Sequence, residues 1–557
     1  MKKGFTLVEV IAVVVILGLI SLLAIPPVLN SITKTKGKIS EAGKKLVEDA
    51  SQLYVSQNSY KYGLYDGNTY CLTIGDLSKN NFLPNTVYDP VTNNEISSDK
   101  AIEVTVSQNN YHFEMKDNCE QKLLYGPLIM LLLNQHQEGA TTGLVKDESN
   151  PNLYYYKGTN EEVANNHLWY GGHHWRVIEF DTEANTITLI SQQPLTAIQP
   201  ASTVWTTEEE YNSSYINSWL NDYFWNSLDS SIQNNILDNT FNIGIYGETE
   251  EEQNVGEITT IKKVGLLDAE QYLRAGGADS FLDIKDYFWL GNIHSSSDIH
   301  HVSNDGNINY SSFSDAYGIR IVIKISDLII AGGNGSLVDN YRVLDKATNT
   351  NQVQIGEYVN VPYNGIDNAC GNDDMCLFRV VSKDSDGIKV VLNGLLSTTS
   401  SFGNSSTITI NSTIYMMLNK FKEQISDIYR YTGNKIFYIG DYPSIATNYK
   451  DIQDENLMVS IGLPTVGEMF SGNDIDLSTL SAKVFVDSKT IENLTMSNYY
   501  FTMNRASSST VRYINGISQL GISNPSIFGG VRPVIFLKNN LTFTGGDGTA
   551  QNPYTID

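Results

Sequence analysis

Residues 1–30 read MKKGFTLVEVIAVVVILGLISLLAIPPVLN, and this stretch decides how the rest of the chain is held. Residues 5–25 form an apolar run of 21 residues, interrupted only by Thr6, Glu9 and Ser21. A helix of that length spans about 30 Å, the thickness of the hydrocarbon core of a bilayer. Two lysines before the run place the N-terminus on the cytoplasmic side. The segment therefore predicts a single membrane-spanning helix.

Two ordinary explanations compete for this segment, a cleaved secretory signal peptide and a plain membrane anchor. Neither explains Glu9, because a charge inside the apolar core of a bilayer costs about 2.5 kcal/mol or more. A carboxylate in that position needs a partner of opposite charge.

The motif KKGFTLVEVI closely resembles the N-terminal motif of type IV pilins and pseudopilins. The resemblance implies that a prepilin peptidase cuts after Gly4 on the cytoplasmic side and methylates the new N-terminal amine of Phe5. It also implies that Glu9 neutralises the Phe5 amine of a neighbouring subunit, which offsets two desolvation costs and sets the axial register of a fibre. Pro26 takes the place of a helix-kinking proline found in the family, and Pro27 is an addition.

The next segment continues as a helix over residues 29–60, although Gly37 and Gly43 weaken it. Residues 102–106 and 111–115 alternate apolar and polar side chains, and the SQNN between them indicates a hairpin. The CLTIGDL segment, a short turn with Asp89, Pro90 and Thr92, and the closing Cys119 resemble the compact pilins of Gram-positive bacteria. We therefore expect residues up to 120 to form a complete small pilin.

The body of the chain is acidic, in contrast to its first fifty residues. Residues 1–50 hold seven lysines and four acidic residues, whereas the whole chain has a net charge of −25. Nucleic-acid binding rests on Lys and Arg that neutralise phosphates, so we expect no nucleic-acid partner, although a local basic patch stays open. A chain of 557 residues exceeds one hydrophobic core and predicts two to four domains.

Four cysteines fall into two local pairs, Cys71 with Cys119 and Cys370 with Cys376. An even number in an exported chain predicts disulfides. The first bond closes a loop of roughly 50 residues, worth about 4 kcal/mol in the chain-entropy model. Free thiols or a metal site are the alternatives for the second pair, but its spacing, with no nearby His, is not a zinc pattern.

Comparison of the sequence with itself finds six pairs of similar blocks in the same order. The pairs are WRVI (175–178) with FRVV (378–381), LN (220–221) with LN (418–419), VGL (264–266) with IGL (461–463), YFW (287–289) plus Asn292 with YYF (499–501) plus Asn504, GIRIVI (318–323) with GVRPVI (530–535), and Gly332, Gly335 and Tyr341 with Gly545, Gly548 and Tyr554. We infer two homologous α+β domains. The predicted division is a leader (1–4), a pilin helix and core (5–120), a linker (121–144) and two domains (145–344 and 345–557).

Each predicted domain opens with a hairpin, at 179–191 in the first and around DSDG in the second. Trp219, Leu220, Phe224 and Leu228 have helical spacing, and apolar strands are expected at 319–325 and 531–537. Pro533 indicates a sheet edge or a strand start.

Several pieces of these domains, such as WLNDYF and GGVRPVIFLKNN, resemble uncharacterised extracellular domains of Gram-positive bacteria. More distantly, LPT with Glu468 followed by VRPV resembles formylglycine-generating-type and C-type-lectin-like folds. The first copy departs from this pattern, with Leu267 and Asp268 in place of Pro464 and Thr465. A fold family of this kind hosts binders and enzymes, so it does not define an activity.

Five histidines are candidates for a metal site and form two groups: His173 and His174, and His294, His300 and His301. Histidine pairs on loops are more often solvated, so we expect no metal ion. DSDG (384–387) and SNDG (303–306) resemble the start of calcium loops, but neither reaches the distal Glu that such a loop needs. We expect both to be turns.

Arg320 and Arg532 occupy matching positions. Each either points at a ligand carboxylate or forms a buried structural ion pair, and we favour the ion pair. Six aromatic residues are candidates for stacking on sugars, with core packing as the simpler explanation: Trp169, Tyr170, Trp205, Trp219, Trp225 and Trp289.

The sequence contains no GxSxG, HExxH or P-loop motif, so we expect no catalytic residue, no cofactor and no enzyme. The expected function is that of a minor or tip pilin-like subunit, which moves from the cell membrane to a pilus and displays two domains for surface adhesion. Its expected partners are other pilin subunits, the prepilin peptidase and a surface glycan or protein. A major pilin, a pseudopilin of a secretion or DNA-uptake machine, and a pilin-anchored enzyme are the alternatives.

Overall fold

The structure is a computed structural model, and it describes residues 41–58, 62–88, 94–108, 110–122, 125–247, 258–343, 346–365, 367–370, 374–441, 454–469, 499–515 and 520–557. The leader, Gly4, Phe5, Glu9, the apolar run and both prolines lie outside these residues. Within the described part, no helix combines the length and the apolar character needed to cross a bilayer. The chain divides into an N-terminal unit, Met1–Asn134 with Ile329–Gly332, and a C-terminal unit, Gln135–Leu328 with Gly333–Asp557.

The N-terminal unit packs one helix on a small sheet. Helix Glu41–Gln57 buries Val47 and Val55 against a three-stranded antiparallel sheet, and Ser51 on the same buried face donates its hydroxyl to Val47 O. The strands, in sheet order, are Thr69–Thr73, Ala101–Ser107 and Asn110–Lys116. A second helix, Ile74–Lys79, begins with a capping box in which Thr73 and Asp76 satisfy each other's backbone N–H groups.

The predicted hairpin is confirmed, since Ser107 pairs with Asn110 across its turn. Of the helix predicted over 29–60, the described part is helical as far as Gln57. The segment predicted as a linker, 121–144, carries strand Gly126–Pro127 and helix Leu128–Leu133, which buries Leu128 and Leu132. Strand Ile329–Gly332 pairs with Gly126–Pro127. The domain boundaries themselves stay predictions.

The C-terminal unit contains two main sheets, here called sheet A and sheet B. In sheet order, the main run of sheet A is Ile236–Leu237, Ile321–Ser326, Thr186–Ser191, His173–Asp181, His167–Tyr170 and Tyr341–Val343. Three further strands extend it: Val264–Leu266, Leu153–Lys157 and Gly143–Lys146. Sheet B runs Ile461–Gly462, Val534–Lys538, Gly387–Leu392, Met375–Asp384, Tyr358–Pro362, Tyr554–Ile556 and Phe543–Gly545.

The two sheets share one strand order. In each, the short VGL or IGL strand pairs with the late apolar strand, which pairs with the hairpin. Each hairpin has a register shift at the same place, between Val177 and Glu179 in sheet A and between Val380 and Ser382 in sheet B. Each sheet then closes with a parallel strand, at Tyr341 or at Tyr554.

Smaller sheets accompany each main sheet. Beside sheet A lie a five-stranded sheet, Thr196–Ile198, Tyr317–Ile319, Phe288–Ile293, Asp298–Val302 and Ile308–Ser312, and a hairpin, Asn239–Asn242 with Thr259–Lys262. Beside sheet B lie a three-stranded sheet, Tyr499–Ser507, Thr510–Asn515 and Leu520–Ser523, and two strand pairs, Ser400–Ser401 with Phe528–Gly529 and Lys435–Tyr438 with Asn456–Val459.

Short helices connect these strands. Before sheet B they are Glu208–Asn212, Tyr215–Ser218, the π-helix Trp219–Phe224, Trp225–Ser227, Ser230–Gln233 and Ala269–Arg274. Around sheet B they are the 3₁₀ turn Asn368–Cys370, Thr413–Lys422, Ile428–Tyr431 and Val466–Met469. The predicted helix at Trp219 is present, with Trp219, Leu220 and Phe224 buried, but it ends before Leu228, whose backbone is extended.

Both predicted hairpins are confirmed, with strand His173–Asp181 turning into Thr186–Ser191 and Asp384 pairing with Gly387. The strand expected at 319–325 breaks at Arg320 into two strands of different sheets. The strand after Pro533 begins at Val534, so the strand-start interpretation is confirmed. The sheet-edge alternative is wrong, because this strand pairs on both sides.

Candidate functional site

The same helix start recurs beside sheets A and B. In helix Ala269–Arg274 the cap is Asp268, whose side chain accepts from Gln271 N, while Gln271 accepts from Asp268 N. The C-terminal unit has two halves, the first containing sheet A and the second containing sheet B. In the second half, Thr465 Oγ1 accepts from Glu468 N, and Glu468 Oε2 accepts from Thr465 N. An asparagine supplies one more hydrogen-bond acceptor at the start of each helix. Asn292 Oδ1 accepts from Ala269 N, and Asn504 Oδ1 accepts from Val466 N. These asparagines belong to the matched blocks, so the blocks hold each helix onto its neighbouring sheet.

Arg320 and Arg532 are buried, and the ion pair expected for them is not formed with any described carboxylate. Arg320 donates from Nε to Ser191 O (3.0 Å) and from Nη1 to Leu282 O (2.6 Å), and it lies over the Phe288 ring. Burial lowers its pKa to about 9. Carbonyl oxygens and a ring face therefore replace a carboxylate as its partners.

Arg532 repeats that arrangement in the second half. Its Nε donates to Leu392 O (2.8 Å), its Nη1 reaches Tyr500 Oη (3.4 Å), and the guanidinium lies over the Tyr500 ring at 5.4 Å. In both arginines Nη2 is buried without a hydrogen-bond partner among the described residues. Both guanidinium groups hold the chain between a matched glycine, Gly318 or Gly530, and the following strand against the core. Both are buried and do not face the surface.

A second pair of buried arginines, Arg176 and Arg379, lies inside the matched WRVI and FRVV blocks, and no sequence pattern had singled them out. Arg176 is fully tied, donating from Nε to Asn166 Oδ1 (2.5 Å), from Nη1 to Asn160 Oδ1 (2.8 Å) and from Nη2 to Val163 O (2.7 Å). Arg379 donates from Nε to Gly356 O (3.2 Å). Burial lowers the pKa of each to about 9.

Among the described residues the candidate histidines meet in pairs, such as His294 and His300 with ring centres 5.1 Å apart. His174 shares a hydrogen bond with His167 (2.9 Å), and His294 stacks on Tyr310 at 3.8 Å between ring centres. His300 Nε2 is 2.8 Å from Tyr246 O, and His301 packs against Trp289 and Tyr317. Within the described ranges, no three His, Cys, Asp or Glu side chains are placed to hold one metal ion.

Both calcium-like segments are turns, as predicted. Asp384 and Asp386 stand on the hairpin of sheet B, each 2.7 Å from Lys435 Nζ. Asp305 accepts from the Ser303 hydroxyl and from Asn307, which lowers its pKa to about 2. Their carboxylates are thus committed to the turns or to a lysine.

Most of the aromatic candidates belong to the core. Four of the six are buried: Tyr170, Trp205, Trp219 and Trp289. The indole N–H groups of Trp205 and Trp289 donate to the carbonyls of Ile243 and Ile198, each at 2.9 Å. Trp169 and Trp225 are half-buried.

The four cysteines form the two predicted disulfides. Cys71 bonds to Cys119 and Cys370 to Cys376, with sequence separations of 48 and 6. The first ties a strand of the N-terminal unit to the segment that follows its sheet. Both bonds fit an oxidising compartment.

The family described as a prokaryotic N-terminal methylation motif matches residues 1–25. The chain is therefore type IV pilin-like at its N-terminus. That motif implies processing by a prepilin peptidase, a membrane-anchored precursor, assembly with other pilin subunits and a surface pilus. Gly4, Phe5 and Glu9 lie within the matched segment. No curated protein and no solved structure matches the chain.

Proposed function

We propose that this chain is a minor or tip subunit of a type IV pilus that carries two homologous domains outward for surface adhesion, without catalysis. The observation that carries the proposal is the methylation motif at residues 1–25, followed by a helix-and-sheet unit with a disulfide. More than 400 residues follow that unit. A body of that size would crowd a shaft in which every subunit carried it, which favours a minor or tip position.

The proposed mechanism is assembly. Cleavage after Gly4 frees the amine of Phe5, and the apolar helix then bundles with those of neighbouring subunits. Glu9 is the one acidic residue in that helix and pairs with the freed amine of the next subunit. The pair removes an uncompensated charge from an apolar bundle and fixes the axial offset between subunits.

The proposed homology of the two displayed domains is supported by their common strand order, their helix caps and their paired arginines. Equivalent strand pairings and hydrogen bonds in several of these ordered blocks are hard to explain by chance. The proposed C-type-lectin-like fold and Gram-positive source rest on sequence resemblance alone.

The experiment is mass spectrometry of the exported chain combined with immunogold electron microscopy of purified fibres. We expect a chain that begins at N-methylated Phe5 and gold at tips or at sparse positions. Glu9→Ala should abolish incorporation, whereas Glu48→Ala, which removes a carboxylate from the described helix, should not. A chain beginning elsewhere, or unchanged assembly of Glu9→Ala, would contradict the proposal.

Two alternatives share the same motif. Gold along the whole shaft would indicate a major pilin. Absence from fibres, together with loss of secretion or DNA uptake on deletion, would indicate a pseudopilin.

A further inference from the structure

The halves of the C-terminal unit meet backbone to backbone. A Cβ on Gly172 would lie 2.1 Å from Ile355 O, and one on Gly356 would lie 2.1 Å from Gly172 O. Both glycines have positive φ, 78° and 99°, which other residues rarely adopt. An ion pair between Lys383 and Asp229 (3.1 Å) also joins the halves. The contact is therefore close and fixed in geometry.

A cavity of about 100 Å³ lies at this junction and is lined from both sides. The first half contributes His173, Trp219 and Phe224, and the second contributes Ile355, Arg379 and Met469. His173 and Ile355 are partly exposed, so the cavity is open to solvent at its rim. Its wall is largely apolar and aromatic, and a cation lies within it.

The charge of Arg379 is not balanced by any described carboxylate. The residue is 8% exposed and makes one hydrogen bond within the described part of the chain, from Nε to Gly356 O. Glu468 also lines the cavity, but its carboxylate is committed to Lys389 Nζ at 2.7 Å and to Thr465 N at 3.0 Å. Arg176, the matching residue of the first half, has all three nitrogens paired. Arg379 therefore has free donors where its counterpart has none.

His173 supplies a neutral polar group in the same wall. Its Nδ1 is buried and has no hydrogen-bond partner among the described residues, and its ring packs on Phe224 at 5.5 Å. Burial, together with the nearby Arg379 charge, lowers the pKa of His173 to about 3. The ring is therefore uncharged at neutral pH and offers one N–H and one acceptor.

We propose that this cavity binds a small organic carboxylate, with Arg379 pairing its charge, His173 hydrogen-bonding to it and Phe224 packing against its apolar part. Guanidinium and carboxylate match in charge and planar geometry. The volume exceeds that of a few waters but falls below the roughly 300 Å³ of a drug-sized pocket, which limits the ligand to a small acid. The net charge of −25 disfavours a polyanion. This site goes beyond the proposed pilus role and does not depend on it.

The test is isothermal titration of the full-length chain in detergent with acetate, benzoate and glucuronate, against benzamide and inorganic phosphate as probes of charge and shape. We expect at least one carboxylate to bind at least tenfold more tightly than benzamide and phosphate. Arg379→Gln should weaken that binding at least tenfold, and Arg430→Gln, at an exposed arginine, should leave it unchanged.

The second variant is Ser227→Trp, which fills the cavity from its partly exposed rim. It tests whether the cavity is the binding site even if Arg379→Gln fails to fold. It should abolish binding while Arg379 remains. Equal binding of benzoate and benzamide, equal binding of phosphate, no binding of any carboxylate, or unchanged binding by both cavity variants would each overturn the proposal.

Discussion

The two halves of the C-terminal unit have the same backbone plan but different buried charges. Sheets A and B agree in strand order, bulge position and parallel closure, and their caps satisfy equivalent backbone groups. At position Lys389 of sheet B, sheet A has Thr188, and at Glu468 the first half has Gln271. The second half thus has a Lys–Glu ion pair where the first has Gln271 and Thr188, whose hydroxyl donates to Glu179. Strand pairing and helix caps therefore preserve the architecture, while the polar side chains near the core vary.

The largest expected effect comes from breaking the buried pair of the second half. Lys389 Nζ lies 2.7 Å from Glu468, with both side chains 9% exposed, and the ammonium lies over the Phe437 ring. Glu468→Gln leaves a buried ammonium uncompensated and should lower the free energy of unfolding by about 3–5 kcal/mol. Urea unfolding followed by tryptophan fluorescence measures it.

The control for that prediction is the double variant Lys389→Thr with Glu468→Gln, which installs the residue types of the first half. Because no lone charge remains buried, it should lose less stability than Glu468→Gln alone. A double variant as unstable as the single one would show that the charge is not the cause.

The second prediction concerns a carboxyl present in one half only. Val380 N donates to Glu357 O, as Val177 N donates to Asn166 O, so Glu357 stands where the first half has an amide. Burial raises the pKa of Glu357 from 4.5 to about 8. The folded protein therefore keeps a proton that the unfolded chain loses above pH 4.5.

Because the folded state binds more protons between these pKa values, Glu357 makes stability fall as pH rises from about 4.5 to 8, by up to about 1.4 kcal/mol per pH unit. Urea midpoints at pH 7, 7.5 and 8 measure the slope, above the range in which His173, whose pKa is lowered by burial, contributes a slope of the opposite sign. Glu357→Gln should flatten it, whereas Asn166→Asp should create no slope of this sign in the first half, because Arg176 Nε lies 2.5 Å from this side chain and favours a charged carboxylate. A wild-type slope over this window that Glu357→Gln leaves unchanged would refute the assignment.

Hairpins, strands and cysteine pairs could be predicted from the sequence, because each follows from a short sequence pattern or from spacing. The matched blocks fell on paired strands and helix caps. In sequence, Asp268 departs from the pattern that has Thr465 in the second half. Both residues are nevertheless N-caps, since each side chain accepts a hydrogen bond from the backbone N–H three residues later.

The partners of the buried arginines were not predictable, because they are distant in sequence. Arg532 donates to Leu392 O, 140 residues away, and Arg320 to Ser191 O, 129 residues away. A repeated arginine in an apolar strand suggests a carboxylate partner, but the fold supplies backbone carbonyls instead. The cavity at Arg379 was missed for the same reason, since its walls come from both halves.

The last and smallest effect tests whether equivalent glycines carry equivalent constraints. Gly335 and Gly548 have φ of 77° and 76°, and a Cβ on them would lie 2.3 Å and 2.7 Å from the rings of Tyr341 and Tyr554. Alanine at either position should cost about 2–4 kcal/mol, combining backbone strain with overpacking. Gly139→Ala is the matched control, because Gly139 has φ of 75° and nothing within 4 Å of its Cβ position, so it should cost about 1 kcal/mol. Chemical denaturation of the three variants separates strain from steric conflict. If alanine cost more stability than Gly139→Ala at only one of the paired glycines, the two halves would not be equivalent at their parallel closing strands.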